Sequence, residues 1–407
     1  MALLAVCVLG VTAKAEDLQK TSATVSPVAA AADTVALTQT EITAADTTVV
    51  KAKKKKGLIG KIGDYFANSN HYNPNKRIDF SLIGGPHYSS TTGLGLGLVA
   101  SGLYRIDRSD PTQPLSNLSL FGDVTTSGFL MLGLRGNNIL PKKKYRFDYS
   151  IYVYNFPSKF WGIGYDAGNI DENETSYSRF KFEVKPRFFF RLAENTYLGP
   201  MVNVQYVKAS KLDDKGLSLL GENPELEFTA IGGGFSFMYD SRDVILNASR
   251  GWFVQLDQLF YPSQFGNKHV YYSTDLTVAT YKKVWKGGVL AGEFHSQMNF
   301  RDVPWPMLAG VGSPYRMRGY FESRYRDKSI VEAQIELRQH LWRRNGMVVW
   351  LGAANVFPEF DAMRWHKTLL NGGFGYRWAF KQGVNVRLDL GFTKNGTGFM
   401  FNINEAF

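Results

Sequence analysis

The chain has 407 residues, 44% of them hydrophobic, 14% aromatic and 20% charged, with a formal net charge of +11 and a mean hydropathy of −0.20. That balance buries far more apolar surface than a disordered chain does, and the absence of any uninterrupted apolar run of 18 residues excludes a helical membrane span. A single cysteine, Cys7, excludes a disulfide framework and a cysteine-ligated metal site.

Residues 1–15 read as a secretory signal: Met1 to Val11 is short and apolar, and Ala13-Lys14-Ala15 before Glu16-Asp17 is a small-x-small cleavage pattern. Residues 16–56 read as a disordered linker. Its first part, Glu16 to Val50, holds 8 Thr and 8 Ala and no aromatic residue, too little apolar surface to offset the entropy of ordering. Its last part, Lys51-Ala52-Lys53-Lys54-Lys55-Lys56, is either a solvated gatekeeping run or a membrane-attracted cluster worth about 1 kcal/mol per charge. Over residues 57–76, Leu58, Ile62 and Tyr65 with Ile59 and Phe66 fall at helical spacing, predicting a short amphipathic helix for a bilayer, a partner or a barrel mouth.

From Arg77 the pattern changes to period-two alternation broken by Gly, Pro, Asn and Asp clusters. Strands are predicted near 77–86, 92–104, 115–124, 127–138, 145–156, 177–190, 196–208, 227–240, 251–262, 269–283, 286–299, 329–342, 346–357, 369–380, 383–393 and 397–406. Segments of about 9 to 11 residues suffice to cross a bilayer at a tilt of about 45°. An even total of 16 suits a chain that starts and ends on the periplasmic side. The expectation is an all-β, 16-stranded antiparallel transmembrane β-barrel over residues 77–407, in the outer membrane of a Gram-negative bacterium.

Connector lengths agree with that polarity. The longest gaps, after residues 156, 208, 299 and 357, fall at odd-numbered connections, which are the outer ones, whereas several even connections are two or three residues long. The connections 104–115 and 240–251 are longer than this scheme prefers. Alternation assigns the two faces: in Ser329 to Trp342, Val331, Ala333, Ile335, Leu337 and Leu341 face lipid, while Glu332, Gln334, Glu336, Arg338 and His340 face the lumen. Gln339 is the polar exception on the lipid side. Arg387 and Asp389 face inward in the same way, against outward Val386, Leu388, Leu390 and Phe392. Aromatics near strand ends, namely Tyr88, Tyr104, Trp161, Tyr197, Trp252, Trp285, Trp342 and Trp378, suit interface girdles.

Several motifs occur in a telling order. They are Gly232-Gly233-Gly234-Phe235, then Asp240-Ser241-Arg242-Asp243, then Arg250-Gly251-Trp252, the loop Met317-Arg318-Gly319-Tyr320, and finally Gly372-Gly373-Phe374-Gly375-Tyr376-Arg377 with Arg387-Leu388-Asp389-Leu390. Together they resemble the surface-antigen superfamily of outer-membrane barrels, the BamA/TamA family, over Arg77 to Phe407. In this reading Asp240, Arg242, Asp243 and Gly251 belong to a paired-strand signature, and Arg318, Gly319 and Tyr320 form a loop motif in the sixth outer loop. The resemblance implies that this loop folds back into the lumen. A guanidinium there is costly unless paired, so the inward carboxylates Glu336 and Asp389 are the expected partners of Arg318; a solvated outer loop is the alternative.

The family's periplasmic POTRA domains have no counterpart in the pattern of Glu16 to Lys76, which lacks a βααββ arrangement. The alternating stretch from Phe399 to Phe407 resembles the terminal signal read by barrel-assembly machinery, with Phe407 as the closing aromatic and Glu405 interrupting the aromatic face. Gly84-Gly85-Pro86 is expected to interrupt the first strand and weaken its seam with the last.

No catalytic residue, cofactor or metal site is expected: the six histidines are dispersed, and Gly93-Leu94-Gly95-Leu96-Gly97 alternates within a strand rather than opening a helix. An outer-membrane hydrolase is therefore a minor alternative. Of the net charge, +8 lies in residues 77–407, whose expected neighbours are outer-membrane lipid and lipopolysaccharide rather than nucleic acid. The functional expectation is a non-enzymatic barrel assisting assembly or translocation of outer-membrane protein or lipid, with outer-membrane or periplasmic assembly proteins as partners. The alternative is a self-contained structural barrel or plugged pore.

Overall fold

A computed structural model describes residues 76–89, 93–110, 113–381, 384–403 and 405–407. The expected signal, linker and amphipathic segment lie outside the described residues, apart from Lys76. The strands are β1 (Asp79–Ser89), β2 (Gly93–Tyr104), β3 (Ser116–Thr125), β4 (Leu130–Ile139), β5 (Tyr145–Phe160), β6 (Thr175–Ala193), β7 (Thr196–Ser210) and β8 (Glu227–Asp240). They continue as β9 (Gly251–Tyr261), β10 (Tyr271–Trp285), β11 (Gly288–Arg301), β12 (Ser329–Trp342), β13 (Asn345–Phe357), β14 (Leu369–Lys381), β15 (Val384–Thr393) and β16 (Gly396–Ile403). These sixteen pair antiparallel in sequence order, and β1 lies beside β16, as a barrel requires. A small two-stranded ribbon, Ala309–Gly310 against Arg326–Asp327, sits within the β11–β12 connection.

Alternation sets the wall. Outward Leu82, Leu351 and Leu370 are 57%, 68% and 66% exposed, an apolar belt that water would not tolerate but lipid does. Their inward neighbours are polar and buried, with Glu336 and Arg387 both at 0%. Tight turns close the periplasmic end where the backbone can adopt positive φ: Asn195 (φ 57°) between β6 and β7, Gly287 (φ 77°) between β10 and β11, and Arg343 (φ 50°) between β12 and β13. At the other end, Phe160, Tyr177, Phe228, Tyr261, Trp305 and Met307 form an apolar cluster that roofs part of the outer mouth.

Four details differ from the sequence reading. β1 is not interrupted at Gly84-Gly85-Pro86; it pairs with β2 without a break from Asp79 to Ser89, because among the described residues β2 is its single ladder partner and a strand paired on one side tolerates proline. The last strand stops at Ile403, and Glu405 turns into the lumen instead of lying on the aromatic face, drawn by buried arginines. Trp161 and Tyr197 are buried rather than interfacial: Trp161 packs against Phe321 and under Arg324, and Tyr197 lies inside beneath Arg146. His340 is exposed at the periplasmic rim, bonded to the carbonyl of Arg343, rather than filling the lumen.

Candidate functional site in the barrel lumen

The β11–β12 connection, residues 302–328, enters the lumen. Its tip is shaped by Met317 (φ 48°) and Gly319 (φ 111°), conformations that a bulky residue adopts only with strain. Gly319 lets the backbone close on two wall glycines. A Cβ on Gly391 of β15 would sit 2.2 Å from the carbonyl oxygen of Arg318, and one on Gly398 of β16 would sit 2.8 Å from the Cα of Gly319. Gly319 thus meets a cross-strand pair of glycines, Gly391 and Gly398, in one backbone-on-backbone contact.

That contact delivers Arg318, which is fully buried. Its Nη2 donates to Glu336 Oε2 at 2.6 Å and its Nη1 to Asp389 Oδ2 at 2.9 Å. The guanidinium stacks on the Trp350 ring at 3.7 Å from the centroid. Asn371 on β14 donates to the Arg318 carbonyl at 2.9 Å, and Tyr320 Oη donates to the Leu370 carbonyl at 2.9 Å. Arg318, Gly319, Tyr320, Glu336 and Asp389 therefore meet at one place.

The wall supplies further charges that sequence reasoning did not assemble. Arg338 Nε donates to Glu336 Oε1 at 2.7 Å, Arg377 Nη1 to Asp389 Oδ1 at 2.6 Å, and Arg377 Nε to Glu405 Oε2 at 2.8 Å. Arg387 lies 3.5 Å from Asp389 and donates to the Pro314 carbonyl at 2.5 Å. Four arginines and three carboxylates share this space, so each charge is stabilised by neighbours rather than by water. The available signal was the inward alternation of Arg377, Arg387 and Asp389, with Arg377 directly opposite Arg387 in the β14–β15 register.

The rest of the loop is tied down by the same chemistry. Arg316 donates to Glu293 at 2.8 Å, and Glu293 also accepts from Gln334 at 2.7 Å. Buried His295, also unanticipated, bridges Glu332 at 2.7 Å and Asp275 at 3.4 Å. Arg324 donates to the Gly168 carbonyl at 2.9 Å and pairs with Asp171, linking the loop to the β5–β6 connection. A cavity of 220 Å³, lined by Trp161, Phe321, Arg324 and Gly396–Met400 among others, remains between the loop and β16.

The remaining expected residues lie at the periplasmic end. Asp240 accepts a bidentate pair from Arg242 Nε and Nη2 at 2.8 and 2.9 Å, and Arg242 stacks over Phe253. Asp243 accepts from the backbone N–H groups of Val244, Ser249 and Arg250 and from the Ser249 hydroxyl. Gly251 (φ 106°) fits where a Cβ would meet the Ser241 carbonyl oxygen at 2.3 Å. These four residues fold the long β8–β9 connection into a fixed turn, which is why its length does not break the short-turn pattern. Phe407 lies inside, partly buried beside Tyr281, with its carbonyl accepting from Arg338 at 2.8 Å.

Among the described residues, no group of three or more His, Cys, Asp or Glu side chains is arranged to hold a metal. The lumen geometry is instead that of a docked, ion-paired loop inside a membrane barrel. Among curated proteins, no sequence matches the chain. The Omp85 superfamily domain matches residues 136–404, more than half of the chain. Among solved structures, the fold is similar to BamA from Haemophilus ducreyi lacking POTRA domains 1–3, with a TM-score of 0.54 at 13% identity, covering 81% of this chain and 70% of that one. It is also similar to CdiB from Acinetobacter baumannii and CdiB from Escherichia coli, each with a TM-score of 0.51 at 12% identity, covering 81% of this chain and 60% of theirs. Barrel topology, luminal loop and domain match converge: the chain belongs to the Omp85 superfamily and is a 16-stranded barrel of the bacterial outer membrane.

Proposed function

We propose that this barrel acts without catalysis in assembling or translocating outer-membrane protein or lipid, together with partner proteins that supply periplasmic recognition. The observation that carries the reading is the luminal loop locked by Arg318 directly against β15 and β16, the strands next to the seam. β16, at 8 residues, is the shortest barrel strand, and a short strand offers few ladder bonds to its neighbour. A seam of that kind suits addition of a client strand or passage of a lipid headgroup.

Depletion of the chain in its own host tests this directly. Loss of folded outer-membrane barrels, or of lipid asymmetry, is the expected result, with periplasmic or assembly proteins co-purifying in gentle detergent. An unchanged outer-membrane protein and lipid profile, with the barrel recovered alone, refutes it. The second reading, a plugged pore, is favoured by the number of ion pairs filling the lumen; conductance that rises when Arg318 is replaced supports it.

A further inference from the structure

The barrel is electrically polar along its axis. On the outer side, the β5–β6 connection, residues 161–174, carries Asp166, Asp171, Glu172 and Glu174 and no lysine or arginine. On the periplasmic side, the neighbouring β10–β11 and β12–β13 turns are wholly basic, and no Asp or Glu occurs in residues 276–292 or 337–358. Lys282, on the lipid-facing side of β10, and Lys286 and Arg343 in the turns are exposed there, and among the described residues none of the three pairs with a carboxylate. Cations in contact with bulk water need no partner, so charge by itself decides nothing.

The second observation is a built platform beside them. Trp285 and Trp342 present indoles that are 54% and 60% exposed, at the lower edge of the lipid-facing wall formed by Leu290, Met347 and Val349. Trp285 is held in place. Trp285 Nε1 donates to Gln339 Oε1 at 2.6 Å, Gln339 Nε2 donates on to the His340 carbonyl at 2.7 Å, and the His340 N–H donates to Gly287 at 2.8 Å. This chain stitches the two turns together and accounts for Gln339, the polar residue on the lipid face. An anchored indole at the hydrocarbon boundary, with Lys286 and Arg343 in the turns beyond it and the long side chain of Lys282 on the same lipid-facing side, reproduces the vertical order of a phospholipid: acyl chain, interface, headgroup phosphate.

We propose that this patch binds the phosphodiester headgroups of anionic glycerophospholipids in the periplasmic-facing leaflet, selecting them over zwitterionic ones. The surface is continuous with the lipid-contacting wall, and its charge is complementary to a phosphate. Retained lipid would hold the barrel at a fixed depth and supply a local pool of anionic headgroups at that rim.

The probe is a lipid nanodisc of phosphatidylethanolamine with a minor share of phosphatidylglycerol, holding the purified full chain, with co-released lipids identified by native mass spectrometry. The wild-type barrel is expected to retain phosphatidylglycerol beyond its share. The variant Lys282→Gln/Lys286→Gln/Arg343→Gln is expected to lose that enrichment by about fivefold or more. The outer-rim control Lys211→Gln/Lys215→Gln/Lys268→Gln/Arg364→Gln is expected to keep it. Wild-type enrichment should also collapse at about 1 M salt, where the screening length falls to about 3 Å; this arm needs no variant to fold. No enrichment in the wild type, salt-insensitive enrichment, or equal enrichment in the triple variant overturns the proposal. Salt-sensitive binding of a polyglutamate peptide without lipid enrichment overturns it in favour of an acidic protein partner.

Discussion

Replacing Arg318 with methionine keeps the volume near that of the native side chain but removes the charge. The substitution deletes two charge-assisted hydrogen bonds, at 2.6 and 2.9 Å, and the stacking on Trp350. Breaking a buried ion pair by removing one partner costs about 3–5 kcal/mol. Here neither carboxylate is orphaned, since Glu336 keeps Arg338 and Asp389 keeps Arg377. The lower end of that range, about 3 kcal/mol, is therefore expected, a factor of about 150 in the folding equilibrium. Arg318→Lys should recover less than half, because a point charge satisfies one carboxylate where the guanidinium fork satisfies two. Urea unfolding in lipid vesicles, followed by tryptophan fluorescence, measures the stability; planar-bilayer conductance measures the plug. A stability change within about 0.5 kcal/mol, the range of ordinary surface substitutions, together with unchanged conductance, refutes the assignment of Arg318 as the residue that locks the loop.

Gly391→Ala should displace the loop tip without removing any charge, since its Cβ would lie 2.2 Å from the Arg318 carbonyl oxygen; increased protease cleavage within residues 302–328 is the readout. Gly251→Ala meets both a positive φ and a 2.3 Å clash, so a loss of about 1–3 kcal/mol is expected in thermal unfolding. For Asp243, in the periplasmic turn, burial pushes the carboxyl group upward, but hydrogen bonds from Ser249, Arg250 and Val244 outweigh it and hold the pKa below the usual carboxylate value. A depressed folded-state pKa contributes stability above the unfolded value, near pH 4, and loses it as pH falls further. Wild type should therefore outlast Asp243→Asn in melting experiments at neutral pH, with the gap narrowing below about pH 4; a gap independent of pH contradicts this.

The sequence by itself determined the wall. Strand alternation and turn composition are local properties: a residue's inward or outward face depends on its parity within one strand, and a tight turn on a few adjacent residues. That is why Glu336, Asp389 and Arg387 could be placed on the inner face and all sixteen strands located, with only their ends shifting. Strand ends shifted because sheet pairing continues past the membrane wherever a neighbour offers ladder partners, as β5 and β6 do.

Only the tertiary structure decided how the inward charges assemble: the resemblance offered Glu336 and Asp389 to Arg318, but the joining of Arg338, Arg377, Arg387 and Glu405 to the same cluster depends on the folded barrel. Arg318 and Asp389 are 71 positions apart in sequence. Their contact depends on the barrel's stagger and on the close approach that Gly319, Gly391 and Gly398 permit together. Parity says that Arg377 and Arg338 face inward, but the depth of each along the barrel axis follows from the accumulated register of many hairpins. The same limit explains Trp161 and Glu405, whose surroundings are built by loops and chain ends that alternation does not describe, whereas Tyr197 occupies an inward position of β7 between Phe189 and Met238 that alternation itself gives. Local chemistry fixes a side chain's direction, whereas closure of the barrel fixes its neighbours.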